Sequence, residues 1–111
     1  MAQHEVGLFG TKTRSDTLLV VSMLGETHSS EIARVLDVSL SQVQRSVDSL
    51  ERAGILIGVE EGKTRRVRIN PRFAMTEELL ALLNRMALLD VPLQKRLATL
   101  RRRPRRSGKS I

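Results

Sequence analysis

The sequence predicts a mainly α-helical fold with one small β-hairpin. Three observations lead to this prediction: an apolar helical segment near the start, a closely spaced pair of helices, and a strand-turn-strand pattern directly after them. The chain has 111 residues, of which 41% are hydrophobic. It is therefore long enough for one compact domain with a core, and too short for two ordinary domains.

The first helix is expected over residues 15–24, with Ser15 as its N-cap and Gly25 as its stop signal. Almost every residue from Leu18 to Leu24 is apolar, so this helix has hardly any polar face. Such a helix must be covered by other elements on several sides.

The second and third helices are expected over residues 30–37 and 40–53, with a tight turn between them. Ser39 and Gln42 have the S-x-x-Q spacing of a capping box, which marks the start of the third helix. Gly54 follows the last helical residue as a stop signal.

Residues 55–69 have the pattern of two strands joined by a glycine-containing turn, which predicts a β-hairpin. In the second strand, Arg66 and Arg68 alternate with Val67 and Ile69. One face of this strand is therefore expected to be basic and the other apolar.

A pair of short helices followed at once by a hairpin is the arrangement of a winged helix-turn-helix, which we predict for residues 8–74. In this arrangement the recognition helix, residues 40–53, presents its outer face to the major groove of DNA. The hairpin is the wing, residues 55–69, and it reaches the flanking backbone or the minor groove with its cations.

The outer face of the recognition helix is polar. At about 100° per residue, Val43, Val47 and Leu50 form one apolar face. The residues opposite this face or on its flanks are Ser41, Gln42, Gln44, Arg45, Asp48, Ser49 and Arg52. Glutamine can pair with adenine and arginine with guanine, although an ordinary solvated face would have the same composition. Asp48 either accepts a hydrogen bond from a cytosine amine or pairs with Arg45 or Arg52 along the helix, and we favour the pairing because it needs no partner outside the helix.

The chain resembles ArsR/MarR-type bacterial winged-helix regulators of transcription. The resemblance rests on SEIARVLDVS at 30–39, VQRSV at 43–47 and LERAGIL at 50–56. The opening LFGTKTR at 8–14 and the wing EGKTRR at 61–66 are similar to ArsR-like domains found beside small nucleotidyltransferases. The resemblance covers about residues 8–89, and it implies sequence-specific binding of double-stranded DNA, usually as a homodimer. With the wing lysine added, the predicted DNA-binding residues are Ser41, Gln42, Gln44, Arg45, Lys63, Arg65, Arg66 and Arg68.

Two further helices are expected after the hairpin, over residues 76–89 and from 93 to about 102. The leucines of the first of them span about 180° of arc, more than packing on one side of a small domain requires. Residues 75–100 are therefore predicted to form the dimerisation segment. The alternative is that the first and fifth helices cover the whole arc within one chain.

The formal net charge of +7 indicates a polyanionic partner, with nucleic acid favoured over an anionic membrane surface. Six of the 19 basic residues lie in residues 101–111, which contain no acidic residue. This composition predicts a disordered basic tail. The tail either follows phosphates or is a solvated end without a specific role.

Several chemistries have no residues to support them. The chain has no cysteine, which excludes disulfides, thiol catalysis and thiolate metal sites. His4 and His28 are isolated, so no metal site and no cofactor are expected. No catalytic residues are predicted, and an enzyme is the least favoured interpretation. No segment is long enough to span a membrane, so a soluble, cytoplasmic protein without a membrane partner is expected.

Three functions stay open at this point. The favoured one is a DNA-binding transcriptional regulator that acts as a homodimer. The first alternative is a winged-helix module that docks an unknown protein partner, which predicts no salt-dependent DNA affinity. The second is a nonspecific architectural protein driven by its arginine tail, which would bind all duplexes alike.

Overall fold

The structure, a computed structural model, describes residues 6–102 and the side chains of residues 7–100. The described residues form five helices and five short strands. In chain order these are β1 (Val6–Gly7), β2 (Gly10–Thr11), α1 (Lys12–Leu24), β3 (Glu26–Thr27), α2 (Ser29–Leu36), α3 (Leu40–Arg52), β4 (Leu56–Glu61), β5 (Thr64–Ile69), α4 (Thr76–Leu89) and α5 (Val91–Arg102). The predicted fold class, mainly helical with a small hairpin, is confirmed. The predicted tail lies outside the described residues from residue 103 onwards.

Helix α1 is the centre of the fold. Leu18, Leu19, Val20 and Val21 are at most 2% exposed. The helix packs against α2, α3, α4 and β5, so the prediction that it is covered on several sides is confirmed.

The start of α1 differs from the prediction. The N-cap is Thr11, whose side chain accepts a hydrogen bond from the backbone N–H of Arg14 at 3.1 Å. Ser15 lies inside the helix instead, and its Oγ accepts from the backbone N–H of Phe9 at 2.7 Å. Ser15 therefore ties the preceding β1–β2 turn to the helix, and its predicted role as N-cap is wrong.

The helix pair matches the prediction within one residue at each end. Helix α2 ends at Leu36 because Asp37 adopts the left-handed conformation with φ of 58° and ψ of 48°. Its backbone therefore leaves the helical path, and three residues connect α2 to α3. Ser39 caps α3 as predicted, because its Oγ accepts from the backbone N–H of Gln42 at 3.2 Å.

The hairpin of β4 and β5 is the predicted wing, and it has a third strand. The order in the sheet is β3-β5-β4, with both neighbouring pairs antiparallel. Glu61 pairs with Thr64, so only Gly62 and Lys63 form the turn, and Gly62 has a positive φ of 62°. Strand β3 comes from the loop between α1 and α2, and the sequence analysis did not predict it.

The two C-terminal helices pack on the same core. Helix α4 has the predicted bounds, whereas α5 begins two residues earlier than predicted, with Pro92 in its first turn. Leu93 and Leu97 of α5 are buried, and Arg96 Nη1 donates to the carbonyl oxygen of Val35 at 2.9 Å. Helix α5 is thereby held against α2. Within residues 6–102, no helix has the length and apolar content that crossing a bilayer requires.

The central position of α1 leads to a stability prediction. The variant Leu18→Ala should lose about 2–5 kcal/mol of unfolding free energy, because it leaves a cavity at a side chain that is 0% exposed. The matched control is Leu8→Ala, which removes the same atoms from a side chain that is 64% exposed and should change stability by less than about 0.5 kcal/mol. Urea unfolding followed by circular dichroism measures both, and equal losses would contradict the central role of α1.

Candidate nucleic-acid interface

Helix α3 has one buried and one open face. Its buried side chains are Val43, Ser46, Val47 and Leu50. The four predicted DNA-binding residues of this helix are exposed and lie on its outer face: Ser41, Gln42, Gln44 and Arg45. Gln44 lines the groove beside the wing, whereas Gln42 lines a different pocket with residues of α1 and α5, so the two glutamines lie on opposite flanks of the helix.

Arg14, which was not among the predicted site residues, fixes the far end of α3. Arg14, in the first turn of α1, donates from Nε to the carbonyl oxygen of Phe9 at 2.8 Å and from Nη1 to the Oγ of Ser49. One guanidinium thus joins the β1–β2 turn, α1 and α3. The sequence carries no signal for this contact, because Arg14 is one of several polar residues in the first turns of α1 and Ser49 is 35 positions away.

The wing presents two different faces because successive residues of a strand point to opposite sides. On β5, Arg65 and Val67 point toward the helices, where Val67 is buried. Arg66 and Arg68 point to the other side, as predicted, and Lys63 is exposed in the turn. The four predicted wing cations therefore do not form one surface.

The outer face of the wing is not purely basic, which corrects the prediction. Arg66 Nη2 lies 3.4 Å from Glu26 Oε1, and Arg66 Nε lies 3.6 Å from Glu61 Oε1. Glu26 belongs to β3, and a strand of two residues has no periodicity that the sequence could reveal. Because β3 pairs with β5, it brings an acidic side chain onto this face.

Arg65 forms an ion pair with α3. Its Nη2 lies 2.5 Å from Glu51 Oε1, and its Nη1 lies 4.0 Å from Asp48 Oδ1. The prediction that Asp48 pairs with Arg45 or Arg52 along its own helix is therefore wrong. The arginine that reaches Asp48 comes from the wing, which lies alongside α3 in the tertiary structure.

A groove of about 450 Å³ separates the wing from the helix pair. Gln44 of α3 and Lys63 of the wing both line it, together with His28 and Ser30 at the start of α2. The Nδ1 of His28 is 3.0 Å from the Oγ of Ser30. In the part of the chain that the structure describes, no group of three or more His, Cys, Asp or Glu residues could hold a metal ion.

The comparisons with known proteins support the fold. No protein-family model and no curated protein sequence matches this chain. Among solved structures, the chain is similar to the adhesin competence repressor AdcR from Streptococcus pyogenes, with a TM-score of 0.60 and 15% sequence identity. The match covers 80% of this chain and 66% of the repressor's chain, slightly less than two thirds of it. The likeness at this identity shows a shared fold, and the helix pair with its hairpin is a winged helix-turn-helix.

Proposed function

We propose that this chain is a sequence-specific, double-stranded-DNA-binding regulator of transcription that acts as a homodimer. Helix α3 enters the major groove, and the hairpin contacts the flanking backbone or the minor groove. The observation that carries the proposal is the exposed outer face of α3, which carries Gln42, Gln44 and Arg45, with the wing and its further cations on the Gln44 side. The net charge of +7 favours a polyanionic partner.

The outer face of α3 carries side chains that can distinguish base pairs. An arginine such as Arg45 can donate two hydrogen bonds to guanine, and a glutamine such as Gln42 or Gln44 can pair bidentately with adenine. The buried opposite face and the Arg14 contact hold this helix in place. Precise placement matters because bidentate contacts to bases tolerate little movement.

The wing and the tail provide contacts of a different kind. Lys63 and Arg68 are exposed, so they can reach phosphates without breaking a contact in the core. Arg66 must exchange its carboxylate neighbours for a phosphate, which reduces its net contribution. Phosphate contacts of this kind position the protein on DNA and carry little sequence information.

The proposed homodimer uses the apolar surface of α4 and the start of α5. Leu79 and Leu83 are buried in the core, so α1 covers only part of the leucine arc. The leucines of this arc that stay exposed are Leu80, Leu82 and Leu89, and Val91 at the start of α5 is exposed as well. Leu89 is 74% exposed, and exposed leucines along one arc of a helix favour a protein partner. A two-fold pair would present two recognition helices about 34 Å apart, one turn of DNA, to a pseudo-palindromic site.

The same leucines are the observation that favours the second candidate, a winged-helix module that docks an unknown protein. We also propose a cytoplasmic, nucleoid-associated location and membership of the ArsR-like group of bacterial regulators. Both candidate functions are compatible with these two properties. They differ in one measurable property, because only the DNA-binding protein has an affinity for duplexes that depends on salt.

The first functional prediction is a steep salt dependence. With about six to ten phosphate contacts per dimer, affinity for a duplex should fall roughly 10³–10⁵-fold between 50 and 200 mM salt. Fluorescence anisotropy on a labelled duplex measures this, and random-sequence selection identifies the preferred site. An affinity that does not change over this range would contradict the proposal, and equal affinity for every duplex would favour the architectural alternative.

The second prediction separates base reading from phosphate contact. Arg45→Ala should cost about 1–3 kcal/mol per half-site on the selected duplex and much less on random DNA, because a base contact is lost. The matched control, Arg68→Ala, removes the same charge from the wing. It should weaken both duplexes alike and lower the salt slope by about one. If Arg45→Ala leaves the preference for the selected duplex unchanged, α3 does not read the sequence.

The third prediction concerns the dimer. Sedimentation equilibrium should find a dimer at micromolar concentration, and Leu89→Lys should convert it to a monomer, because a charge would be buried in the interface. Leu8→Lys is the matched control, since it introduces the same charge at a leucine that is also exposed but lies far from α4 in the chain. The wild-type protein remaining monomeric under these conditions would rule out the dimer.

A further inference from the structure

Three residues spaced seven positions apart, Glu51, Gly58 and Arg65, meet where the wing leaves the body of the protein. Glu51 lies on α3, Gly58 on β4 and Arg65 on β5. The Glu51 side chain is only 16% exposed and that of Arg65 is 46% exposed, so the carboxylate is the better shielded partner of the ion pair.

Gly58 supplies the space in which this ion pair lies. A Cβ atom on Gly58 would be 2.7 Å from Arg65 Nε and closer still to Glu51 Oε2. Arg65 pairs with Glu60 in the ladder between β4 and β5. Its side chain extends diagonally across β4 and passes over Gly58. The φ of Gly58 is not positive, so its backbone conformation is open to any residue. The glycine is needed here for the close approach of the two side chains.

The outer part of the wing has no core of its own. Every residue from 59 to 65 is exposed, whereas the hairpin residues that pack in the core, Leu56 and Val67, lie at its base. Hydrophobic burial therefore anchors the base of the hairpin and leaves the tip without support. The contact between Arg65 and Glu51 connects the last residue of this exposed part to α3.

We propose that Glu51, Gly58 and Arg65 form a latch that holds the wing at a set angle to α3. Arg65 is then a positioning residue and not the phosphate contact that the sequence predicted. This proposal rests on the proposed DNA binding. A wing that is already held in its bound orientation loses less conformational freedom on binding, so the latch raises affinity without touching DNA.

The latch and simple electrostatics predict opposite effects for one substitution. Glu51→Gln removes a negative charge close to the proposed interface, and reduced repulsion from phosphates alone would strengthen binding. The latch predicts weaker binding, because the neutral amide holds Arg65 less well. Gly58→Ala should have the same effect with both charges kept, since the methyl group displaces the ion pair.

The test compares full-length variants on a duplex of mixed sequence of about 30 base pairs, three helical turns. Glu51→Gln, Gly58→Ala and Arg65→Ala should each weaken binding roughly two- to fivefold, the upper part of the range for losing one partly exposed ion pair. Combining Glu51→Gln with Gly58→Ala should weaken binding no further. The matched control is Glu60→Gln, which removes an exposed carboxylate from the same wing and should leave binding equal or slightly tighter.

The salt slope distinguishes positioning from direct contact. If Arg65 only positions the wing, Arg65→Ala keeps the wild-type slope. If it contacts a phosphate, the slope falls by about 0.9 for each contact removed. A reduced slope for Arg65→Ala, or tighter binding by Glu51→Gln, would overturn the latch.

Amide hydrogen exchange on the DNA-free protein tests the latch separately from the proposed function. Peptides that cover the wing, residues 55–69, should exchange faster in the three latch variants than in the wild type and in Glu60→Gln. Unchanged exchange in all three would overturn the latch even if they bind DNA less well. If the wild-type protein binds no duplex, the proposed function fails, and the exchange rates still decide whether the latch exists.

Discussion

The enclosure of α1 is the constraint on which the other elements depend. Helix α1 carries Leu18, Leu19, Val20 and Val21 on successive positions. Exposing any side of this helix to water would therefore cost free energy. Helices α2, α3 and α4 and strand β5 surround it, and each contributes one apolar face. Because α3 uses its apolar face in this way, its polar face must point outwards. The candidate interface is thus a consequence of burying α1.

The orientation of α3 depends on contacts at several places in addition to the core. Ser39 caps its start, Arg14 holds Ser49 near its end, and Glu51 holds the wing through Arg65. Each contact uses a side chain from a different part of the structure. The recognition helix and the wing are consequently linked to each other and to α1, which gives the proposed interface a defined shape before any partner binds.

The charges of the wing are distributed less simply than the net charge suggests. Of the predicted cations, Arg65 is paired with α3 and Arg66 with Glu26 and Glu61, whereas Lys63 and Arg68 are exposed. Pairing lowers the number of charges that are available to phosphates. Base reading by α3 therefore has a larger share in the proposed recognition than a count of arginines would indicate.

The sequence by itself determined the five helices, the hairpin and the polar outer face of α3. These features follow from local signals: an apolar run, the Ser39 cap, and alternation around Val67. Only the tertiary structure decided which wing arginines are free. The pairing of Arg65 with Glu51 joins residues 14 positions apart, and that of Arg66 with Glu26 joins residues 40 positions apart. Each pair joins two different elements, so the partners are known only once α3, β3 and β5 are packed together.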